Sequence, residues 1–261
     1  MRIAFIGGGK MVTEMVKGLN RSGLTRTYLG IWMRDKDKLQ NFNAKHNITP
    51  LTKMSDIVQY DVIVLGITPN NYREVTSKIA RYLCEHHILI SIVGGLSIQE
   101  IDDEFDEHPK IIRLMPNTPV GVNAGVLAMS KNEFVEKKEA KQIEEIMKRL
   151  GYTHWIDESL MHIMPAVTGS SPTFIYLLIE AMADNAVSEG LNRELAYQMV
   201  SEMIIGAGTM VRQTKEHPGV LKDQVTTPGG STIQGVKMLE EKGFRDAISK
   251  AMDAINAFNK S

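Results

Sequence analysis

A glycine-rich turn near the amino terminus constrains the fold more than any other feature of this chain. The apolar run Arg2–Ile6 is typical of a β-strand, and Gly7–Val12 (Gly-Gly-Gly-Lys-Met-Val) follows it where a helix is predicted to begin. A G-x-G-x-x-G/A pattern at such a turn lets backbone N–H groups approach a pyrophosphate at the helix amino terminus. The alternative is a glycine turn that binds nothing. We expect a dinucleotide to bind at Gly7, Gly8, Gly9, Lys10 and Met11.

Short apolar runs alternate with helix-like segments through residues 1–157. Most of the runs are continuously apolar, as expected of strands whose two faces are both covered by helices. Strand–helix alternation of this kind is typical of a parallel, doubly wound sheet. We therefore predict an α/β fold with an amino-terminal Rossmann-like domain over residues 1–157. Its predicted strands are Arg2–Ile6, Tyr28–Met33, Asp61–Ile67, His87–Val93, Lys110–Met115 and Val126–Ala128.

Strand-like runs end near residue 158, and helical periodicity takes over. The spacing predicts long helices over Pro172–Glu189 and Arg193–Lys215. We therefore predict an all-α domain over residues 158–261. Four methionines on its helices are either core filler or part of a helix–helix subunit interface: Met182, Met199, Met203 and Met210.

Two breaks interrupt the carboxyl-terminal helices, at His217–Gly219 and at Thr227–Gly230. Ser231 or Thr232 is expected to cap the helix after the second break. Gly243 is expected to separate that helix from a last one, which runs to the carboxyl terminus.

The composition narrows the range of partners. With 30 basic and 31 acidic side chains the formal net charge is −1, so the chain lacks the positive field that nucleic-acid binding needs. The longest apolar stretch, Phe174–Val187, contains charged residues and is too short to cross a bilayer. The lone Cys84 can form no internal disulfide, and the seven histidines lack metal-ligand spacing. We expect a cytoplasmic protein that binds neither nucleic acid, membrane nor metal.

The end of the second predicted strand bears on the choice of dinucleotide. An acid at this position binds the ribose 2′-hydroxyl of NAD, whereas a nearby arginine suits the 2′-phosphate of NADP. The strand ends with Arg34, then Asp35, and Lys36 and Lys38 add positive charge. NADP is therefore favoured, and Asp35 keeps NAD as the alternative.

Three further segments combine glycine, proline and hydroxyl or amide residues at the ends of predicted elements. Thr68–Asn70 and Met115–Pro119 follow predicted strands, and the carboxyl ends of parallel strands are where open α/β sheets bind ligands. Thr226–Thr232 precedes a predicted helix, where hydroxyls and exposed N–H groups offer a site for a carboxylate.

With these motifs the chain resembles the pyrroline-5-carboxylate reductase family over essentially its whole length. The resemblance rests on Arg113–Pro119, Thr168–Pro172, Ile179–Asp184 and His217-Pro218, and most strongly on the run Leu221–Ile233. It implies a Rossmann domain, a helical dimerisation domain, and NAD(P)H-dependent reduction of a cyclic imine carboxylate to L-proline. It also implies a homodimer through the carboxyl-terminal helices, which in this family often assembles into a decamer.

The resemblance assigns roles to individual positions. Gly7–Met11 would hold the pyrophosphate, and Arg34 the adenosine ribose or its phosphate. Ile67, Thr68 and Pro69 would flank the ribose on the nicotinamide side, with Gly94 and Asn117 nearby. The substrate carboxylate would bind at Thr227, Gly229, Gly230, Ser231 and Thr232, and Thr232 is the favoured hydrogen-bond donor to the imine nitrogen.

The chain departs from the family pattern at five places. The family usually has asparagine at Lys10, alanine at Val12 and lysine at Thr68. It has glycine at Ser171, and usually Gln-Thr at Ser201-Glu202. We expect Val12 to crowd the first helix against the sheet, and the five changes together to bear on cofactor affinity and activity.

The residue set fits imine reduction better than carbonyl reduction. Hydride transfer to C=N needs a well-placed dinucleotide and no metal or covalent nucleophile, and no catalytic histidine or lysine is evident. One alternative is a β-hydroxyacid dehydrogenase, but the helix after Thr168–Pro172 lacks the lysine typical of that family. The other is a non-catalytic paralogue that binds dinucleotide and acts in regulation.

Overall fold

A computed structural model describes residues 1–258 of the chain. Packing of the backbone divides it into two compact units, Met1–Gly169 and the described residues from Ser170 onward. The predicted domain boundary after residue 157 stays a prediction, because this division reflects local compactness only.

The amino-terminal unit is built on an eight-stranded sheet, counted over the described residues. Its order is β3-β2-β1-β4-β5-β6-β7-β8. Strands β1 to β6 are parallel, whereas β7 pairs antiparallel with β6 and parallel with β8. The strands are β1 (Ile3–Ile6), β2 (Leu29–Trp32), β3 (Thr49–Pro50), β4 (Val62–Leu65), β5 (Ile88–Ser91), β6 (Lys110–Met115), β7 (Gly125–Lys131) and β8 (Gly151–Trp155).

The predicted doubly wound sheet is confirmed, with two corrections. It is not wholly parallel, since β7 and β8 run opposite to the other six strands. Two edge strands, β3 and β8, were not predicted. β3 has only two residues, and most of β8 is exposed, so neither leaves a continuous apolar run in the sequence.

Both faces of the central strands are buried. Ile3 and Phe5 of β1 pack on one side with residues of the first helix, and Ala4 and Ile6 pack on the other side. All four residues of β1 and all four of β4 are buried. Burial of each large apolar side chain contributes about 1.5–3 kcal/mol, which fixes the register of these strands.

Helices cover this sheet and connect its strands. The α-helices are α1 (Lys10–Arg21), α2 (Lys36–Lys45), α3 (Tyr72–Ala80), α4 (Ile98–Asp102) and α5 (Lys137–Met147). Short 3₁₀ segments lie at Met54–Gln59, Pro69–Asn71, Thr118–Val122, Lys148–Leu150 and Glu158–Ile163, and a π-helical turn lies at Pro165–Gly169. Because the strand order reverses direction around β1 and β4, their carboxyl ends flank the crevice in which such sheets bind ligands.

The carboxyl-terminal unit is helical throughout its described part, which confirms the predicted all-α region. Its helices are α6 (Pro172–Ser188), α7 (Arg193–Thr214), α8 (Pro218–Val225), α9 (Ser231–Glu241) and α10 (Phe244–Phe258). The predicted continuation of the last helix over residues 259–261 lies outside the described residues. No helix of the described chain is both long enough and apolar enough to cross a membrane.

One prediction about helix starts is wrong, and one helix was not predicted. The predicted break at His217–Gly219 is confirmed, and it is also the start of α8, because the His217 side chain accepts a hydrogen bond from Gly219 N and Pro218 fits the first helical position. Neither Ser231 nor Thr232 caps α9. Gly230 is the N-cap, and Ser231 is already the first helical residue.

Large apolar side chains remain at the surface of α6 and α7. The four methionines named above are each at least 38% exposed in the single chain, so they are not core filler within it. Among the most exposed apolar residues of the two helices are Tyr176, Leu177, Met199 and Ile205.

Candidate active site

The turn between β1 and α1 forms an open cradle at a helix amino terminus. Gly7 has a φ of +99°, and a Cβ there would lie 2.4 Å from Gly66 O, so only glycine fits without strain. Around Gly9, in contrast, a Cβ would meet nothing within 4 Å. Gly9 is the N-cap of α1 and supplies no side chain to its first N–H groups. These groups are therefore free to bind an anion.

Val12 does not force α1 away from the sheet, contrary to the expected crowding. Its side chain is 1% exposed and fills space directly beside Gly66, at the end of β4. A Cβ on Gly66 would lie 2.1 Å from Val12 Cγ2. A small residue at position 12 would let α1 pack closely on the sheet. Here the small residue is Gly66 at the end of β4, and the close packing is retained.

Arg34 and Asp35, which follow β2, have different tasks. Asp35 is the N-cap of α2, and its Oδ1 accepts hydrogen bonds from Asp37 N and Lys38 N, each at 3.0 Å. The hydrogen bond from Lys38 N is the main cause that holds the pKa of Asp35 below its ordinary value. The Arg34 side chain is 72% exposed, and its Nη1 lies 3.7 Å from Glu74 Oε2. Arg34 is therefore available to a ligand, whereas Asp35 is engaged in the helix.

A cavity of about 410 Å³ joins the glycine turn to the end of β2. It lies wholly within the amino-terminal unit. Gly7, Gly8 and Ile67 form part of its wall, and Arg34, Lys38 and Lys78 bring three cationic side chains to it. Its polar lining also includes Asp35 and, on the segment after β4, Asn71 and Glu74.

The segment after β4 carries the predicted Ile67, Thr68 and Pro69. Thr68 Oγ1 accepts a hydrogen bond from Asn71 Nδ2 at 2.9 Å, and Pro69 begins the short helical segment that leads into α3. Thr68 is thereby tied into this turn, whereas the lysine usual in the family would place a cation there. Ile67 lies against the glycine turn, with its Cγ2 3.0 Å from a Cβ built on Gly7.

Gly94 follows β5 in an open position, where a Cβ would meet nothing within 4 Å. The chain after it is anchored at the start of α4. There, Ile98 N donates to Glu158 Oε1 at 2.5 Å, and the buried Arg113 donates to the same oxygen from Nη1 at 3.3 Å. Glu158 thus anchors the residue at which the loop containing Gly94 ends.

Asn117, at the end of β6, is 5% exposed, and its amide serves the protein itself. Nδ2 donates to Thr168 O at 3.0 Å, and Oδ1 accepts from Val126 N at 2.9 Å. The side chain therefore ties β6 both to β7 and to the π-helical turn. A cofactor contact at Asn117 would have to come from its backbone, and the assignment of Asn117 to the cofactor stays a prediction.

The predicted substrate residues lie in the turn before α9 and in the first two residues of that helix. Gly229 has a φ of +73°, and a Cβ on Gly230 would lie 2.5 Å from Thr227 Oγ1. The turn is closed by a hydrogen bond from Gly230 N to Thr227 O at 3.0 Å. Since Gly230 has no capping side chain, the first N–H groups of α9 and the exposed hydroxyls of Ser231 and Thr232 are presented together. Such an arrangement suits a carboxylate.

Comparison with known proteins identifies two sequence-family models along the chain. A sequence model described as pyrroline-5-carboxylate reductase dimerisation matches residues 158–261, and one described as NADP oxidoreductase, coenzyme F420-dependent, matches residues 2–95. Pyrroline-5-carboxylate reductase of Escherichia coli is 35% identical over 253 residues, which cover 96% of this chain and 94% of that protein. The chain belongs to the pyrroline-5-carboxylate reductase family.

Other members of the family agree over the whole length. The reductase of Methanosarcina acetivorans is 33% identical over 96% of this chain and 94% of its own. The crystal structure of Plasmodium falciparum pyrroline carboxylate reductase with NADP bound has a TM-score of 0.88 at 29% identity, covering 100% of this chain and 97% of that one. The predicted family and the predicted class, an NAD(P)H-dependent oxidoreductase, are therefore confirmed, as is binding of a nicotinamide dinucleotide.

Two further departures from the family pattern are accommodated on helices. Ser171 has φ −57° and ψ −27°, which any residue adopts, so its backbone does not need the family's glycine. On α7, Ser201 Oγ donates to Tyr197 O at 2.7 Å, and Glu202 Oε1 accepts from Gln198 Nε2 at 3.0 Å. The side chains of Ser201 and Glu202 thus each have a hydrogen-bond partner within α7.

Sequence reasoning missed three polar residues of the cavity, namely Asn71, Glu74 and Lys78. Their segment follows β4, far along the chain from the glycine turn, and reaches the cavity because β4 is the neighbour of β1 in the sheet. Among the described residues, no group of three or more histidine, cysteine or acidic side chains is arranged to hold a metal ion.

Proposed function

We propose that this protein reduces 1-pyrroline-5-carboxylate to L-proline, the last step of proline biosynthesis, with NADPH as the preferred hydride donor. The observation that carries the proposal is the complete, uncapped turn at Thr227–Ser231 in a chain that belongs to the reductase family. The five departures from the family pattern leave this turn unchanged.

The glycine turn fits a pyrophosphate by its shape and its charge. Gly7 and Gly8 leave room that side chains would fill, and the first turn of α1 has no acidic residue. Instead it begins with the exposed Lys10, a cation at the positive end of a helix dipole. A cation beside the positive end of a helix dipole is unfavourable in isolation. It becomes favourable when an anion lies between the Lys10 side chain and the first N–H groups of α1. In this proposal Gly7–Met11 hold the pyrophosphate.

The end of β2 supports NADPH over NADH. Arg34 projects into the cavity together with Lys38 and Lys78, which gives a 2′-phosphate three cations. The acid that would accept the 2′-hydroxyl of NADH is Asp35, and its Oδ1 already receives two N–H groups from α2. The relative from Plasmodium falciparum was crystallised with NADP. Ile67, Thr68, Pro69 and Gly94 would lie along the nicotinamide half of the dinucleotide.

The turn before α9 would bind the substrate. Uncapped N–H groups at the start of α9 would hold the carboxylate, with Thr227, Gly229 and Gly230 shaping the turn. Thr232 is the catalytic residue of this proposal, because its hydroxyl can donate a hydrogen bond to the ring nitrogen.

The reaction requires little acid–base chemistry from the protein. NADPH supplies a hydride to the imine carbon when it is bound, and the C=N bond becomes a C–N single bond. The ring nitrogen receives one proton, either before the transfer or from the Thr232 hydroxyl and solvent. The side chains therefore need only to bind and orient the substrate.

The carboxyl-terminal unit supports assembly into a homodimer, in keeping with the dimerisation model that matches it. The exposed apolar side chains of α6 and α7 supply surface for such an interface. We further propose that dimers assemble into a decamer, as the family resemblance implies, which light scattering during size-exclusion chromatography would test. The cytoplasmic location stays a prediction.

One assay tests the proposed reaction against both alternatives. Purified protein is mixed with pyrroline-5-carboxylate and either NADPH or NADH, and the loss of reduced nicotinamide is followed by absorbance. Turnover with higher kcat/KM for NADPH is the expected result. Tight dinucleotide binding without turnover would favour a non-catalytic paralogue. Turnover of a 3-hydroxy acid in place of the imine would favour the β-hydroxyacid dehydrogenase.

A further inference from the structure

An acidic side chain faces Arg34 across the cavity. Glu74 lies in the first turn of α3, and its Oε2 is 3.7 Å from Arg34 Nη1. Its other oxygen, Oε1, accepts a hydrogen bond from Lys78 Nζ at 2.6 Å. All three side chains line the same cavity.

Glu74 is an anion at neutral pH. The hydrogen bond from Lys78 is the first cause that holds the pKa of Glu74 below its ordinary value, and the charges of Lys78 and Arg34 act in the same direction. A negative charge therefore stands next to the guanidinium that would receive a 2′-phosphate. The Glu74 carboxylate and a bound 2′-phosphate would repel each other, because both are anions next to the same guanidinium. They would also compete for the N–H groups of Arg34.

From this arrangement we propose that Glu74 is a specificity-determining residue that limits the preference for NADPH over NADH. This inference rests on the proposed role of Arg34 as the phosphate-binding residue. Without a phosphate in the cavity, Glu74 pairs with Arg34. A 2′-phosphate must displace that pairing, whereas the 2′-hydroxyl of NADH carries no charge and leaves it in place. Glu74 thus weakens the binding of NADPH and not that of NADH.

The position of Glu74 separates it from the rest of the dinucleotide site. It contributes neither to the glycine turn nor to the β-sheet, and its side chain is 47% exposed. Replacement by glutamine keeps its size and removes only its charge, so the fold should be unaffected. Glu104 provides a matched control, because it is also paired with an arginine, Arg73, but does not line this cavity.

The test measures binding of NADP⁺, NAD⁺, 2′,5′-ADP and 5′-AMP to wild type, Glu74→Gln and Glu104→Gln by calorimetry. In Glu74→Gln, the affinities for NADP⁺ and 2′,5′-ADP should rise about two- to fivefold, the range of an exposed ion pair. Those for NAD⁺ and 5′-AMP should stay the same. Glu104→Gln should match wild type with all four ligands. Equal changes for phosphorylated and unphosphorylated ligands, or none in Glu74→Gln, would overturn the inference.

A second comparison tests whether Glu74 acts through Arg34. In an Arg34→Gln background the gain from Glu74→Gln should shrink, because the competition for the guanidinium is already gone. A gain of full size in that background would refute competition for Arg34. The wild-type measurement separates this inference from the proposed function. If wild type bound none of the four ligands, the dinucleotide site itself would be wrong, whereas normal wild-type binding with an unresponsive Glu74→Gln would refute only the role of Glu74.

Discussion

Val12 on α1 and Gly66 at the end of β4 share one packing space. A Cβ on Gly66 would lie 2.1 Å from Val12 Cγ2, a distance at which one of the two groups must move. The family usually has alanine at position 12. The larger Val12 is accommodated here because Gly66, at the end of the neighbouring strand β4, has no side chain.

The first prediction concerns this pair. Gly66→Ala should destabilise the protein by about 1–3 kcal/mol through overpacking, since its φ lies outside the left-handed region and only space is limiting. Adding Val12→Ala should recover much of that loss, although Val12→Ala alone removes buried methyl groups. Urea unfolding of the two single variants and the double variant would measure the coupling. Gly94→Ala, in open space, is the control, and additive losses in the double variant would disprove the shared space.

The second prediction concerns Arg34. Arg34→Gln removes the cation proposed to bind the 2′-phosphate, so KM for NADPH should rise about tenfold or more, the scale of a charge-assisted hydrogen bond. KM for NADH should change little. Arg73→Gln, which removes another exposed arginine outside the cavity, should leave both values near wild type. Steady-state kinetics with both dinucleotides would decide, and equal losses for the two would contradict phosphate recognition by Arg34.

The fold could be predicted where burial leaves a mark in the sequence. β1 and β4 are fully buried and appear as continuous apolar runs, and the fully buried β5 is apolar except for Ser91. The reversal at β7 leaves no comparable mark, because a buried strand has the same composition in either direction. Helix α8 was missed for another reason. Proline followed by glycine signals a helix boundary, and here that boundary is a start, with His217 as its cap.

The candidate site could be predicted where its residues lie at the end of a strand, which includes Ile67 after β4 as well as the glycine turn and Arg34. The glycine turn and Arg34 follow their strands directly and carry local signals. Glu74 and Lys78 enter the cavity through the pairing of β1 with β4, and strand order cannot be inferred from a single sequence. The capping role of Asp35 could have been inferred, because an aspartate immediately before a helical segment is a common N-cap.

The third prediction follows from that role of Asp35. Asp35→Asn keeps a capping oxygen, so KM for NADH should stay near wild type. If Asp35 bound the ribose instead, Asp35→Asn would raise KM for NADH.

Asp35→Ala removes the cap and should lower the thermal midpoint at pH 7. The folded-state pKa of Asp35 is lowered, so its stabilisation is complete above the ordinary pKa of 3.8 and is lost as pH falls through the folded-state value. The difference between wild type and Asp35→Ala should therefore shrink in acid, and a constant difference would exclude a charged cap.

The fourth prediction concerns the buried amide of Asn117. Asn117→Ala leaves Thr168 O and Val126 N without their partners, which should cost about 1–3 kcal/mol for each group left unsatisfied. Asn117→Asp keeps the acceptor for Val126 N but sets an oxygen against Thr168 O, so it should also destabilise. Chemical denaturation would measure both variants. Asn132→Ala is a comparison at another buried asparagine, which bonds Ile111 N and Pro109 O and lies outside the cofactor cavity. Unchanged stability in Asn117→Ala would show that these bonds contribute nothing.

The fifth prediction concerns Thr232. Thr232→Ala removes the hydroxyl proposed to donate to the ring nitrogen, and kcat/KM for pyrroline-5-carboxylate should fall about ten- to a hundredfold, as for a hydrogen bond to a charged group. Binding of NADPH should remain near wild type, because the assigned dinucleotide residues lie outside this turn. Thr232→Ser retains the hydroxyl and should recover most of the activity. Thr214→Ala is the control, since that hydroxyl donates to Met210 O within α7. Wild-type kinetics in Thr232→Ala would remove Thr232 from the reaction. A parallel loss of NADPH binding would instead indicate that the substitution disturbs more than the substrate turn.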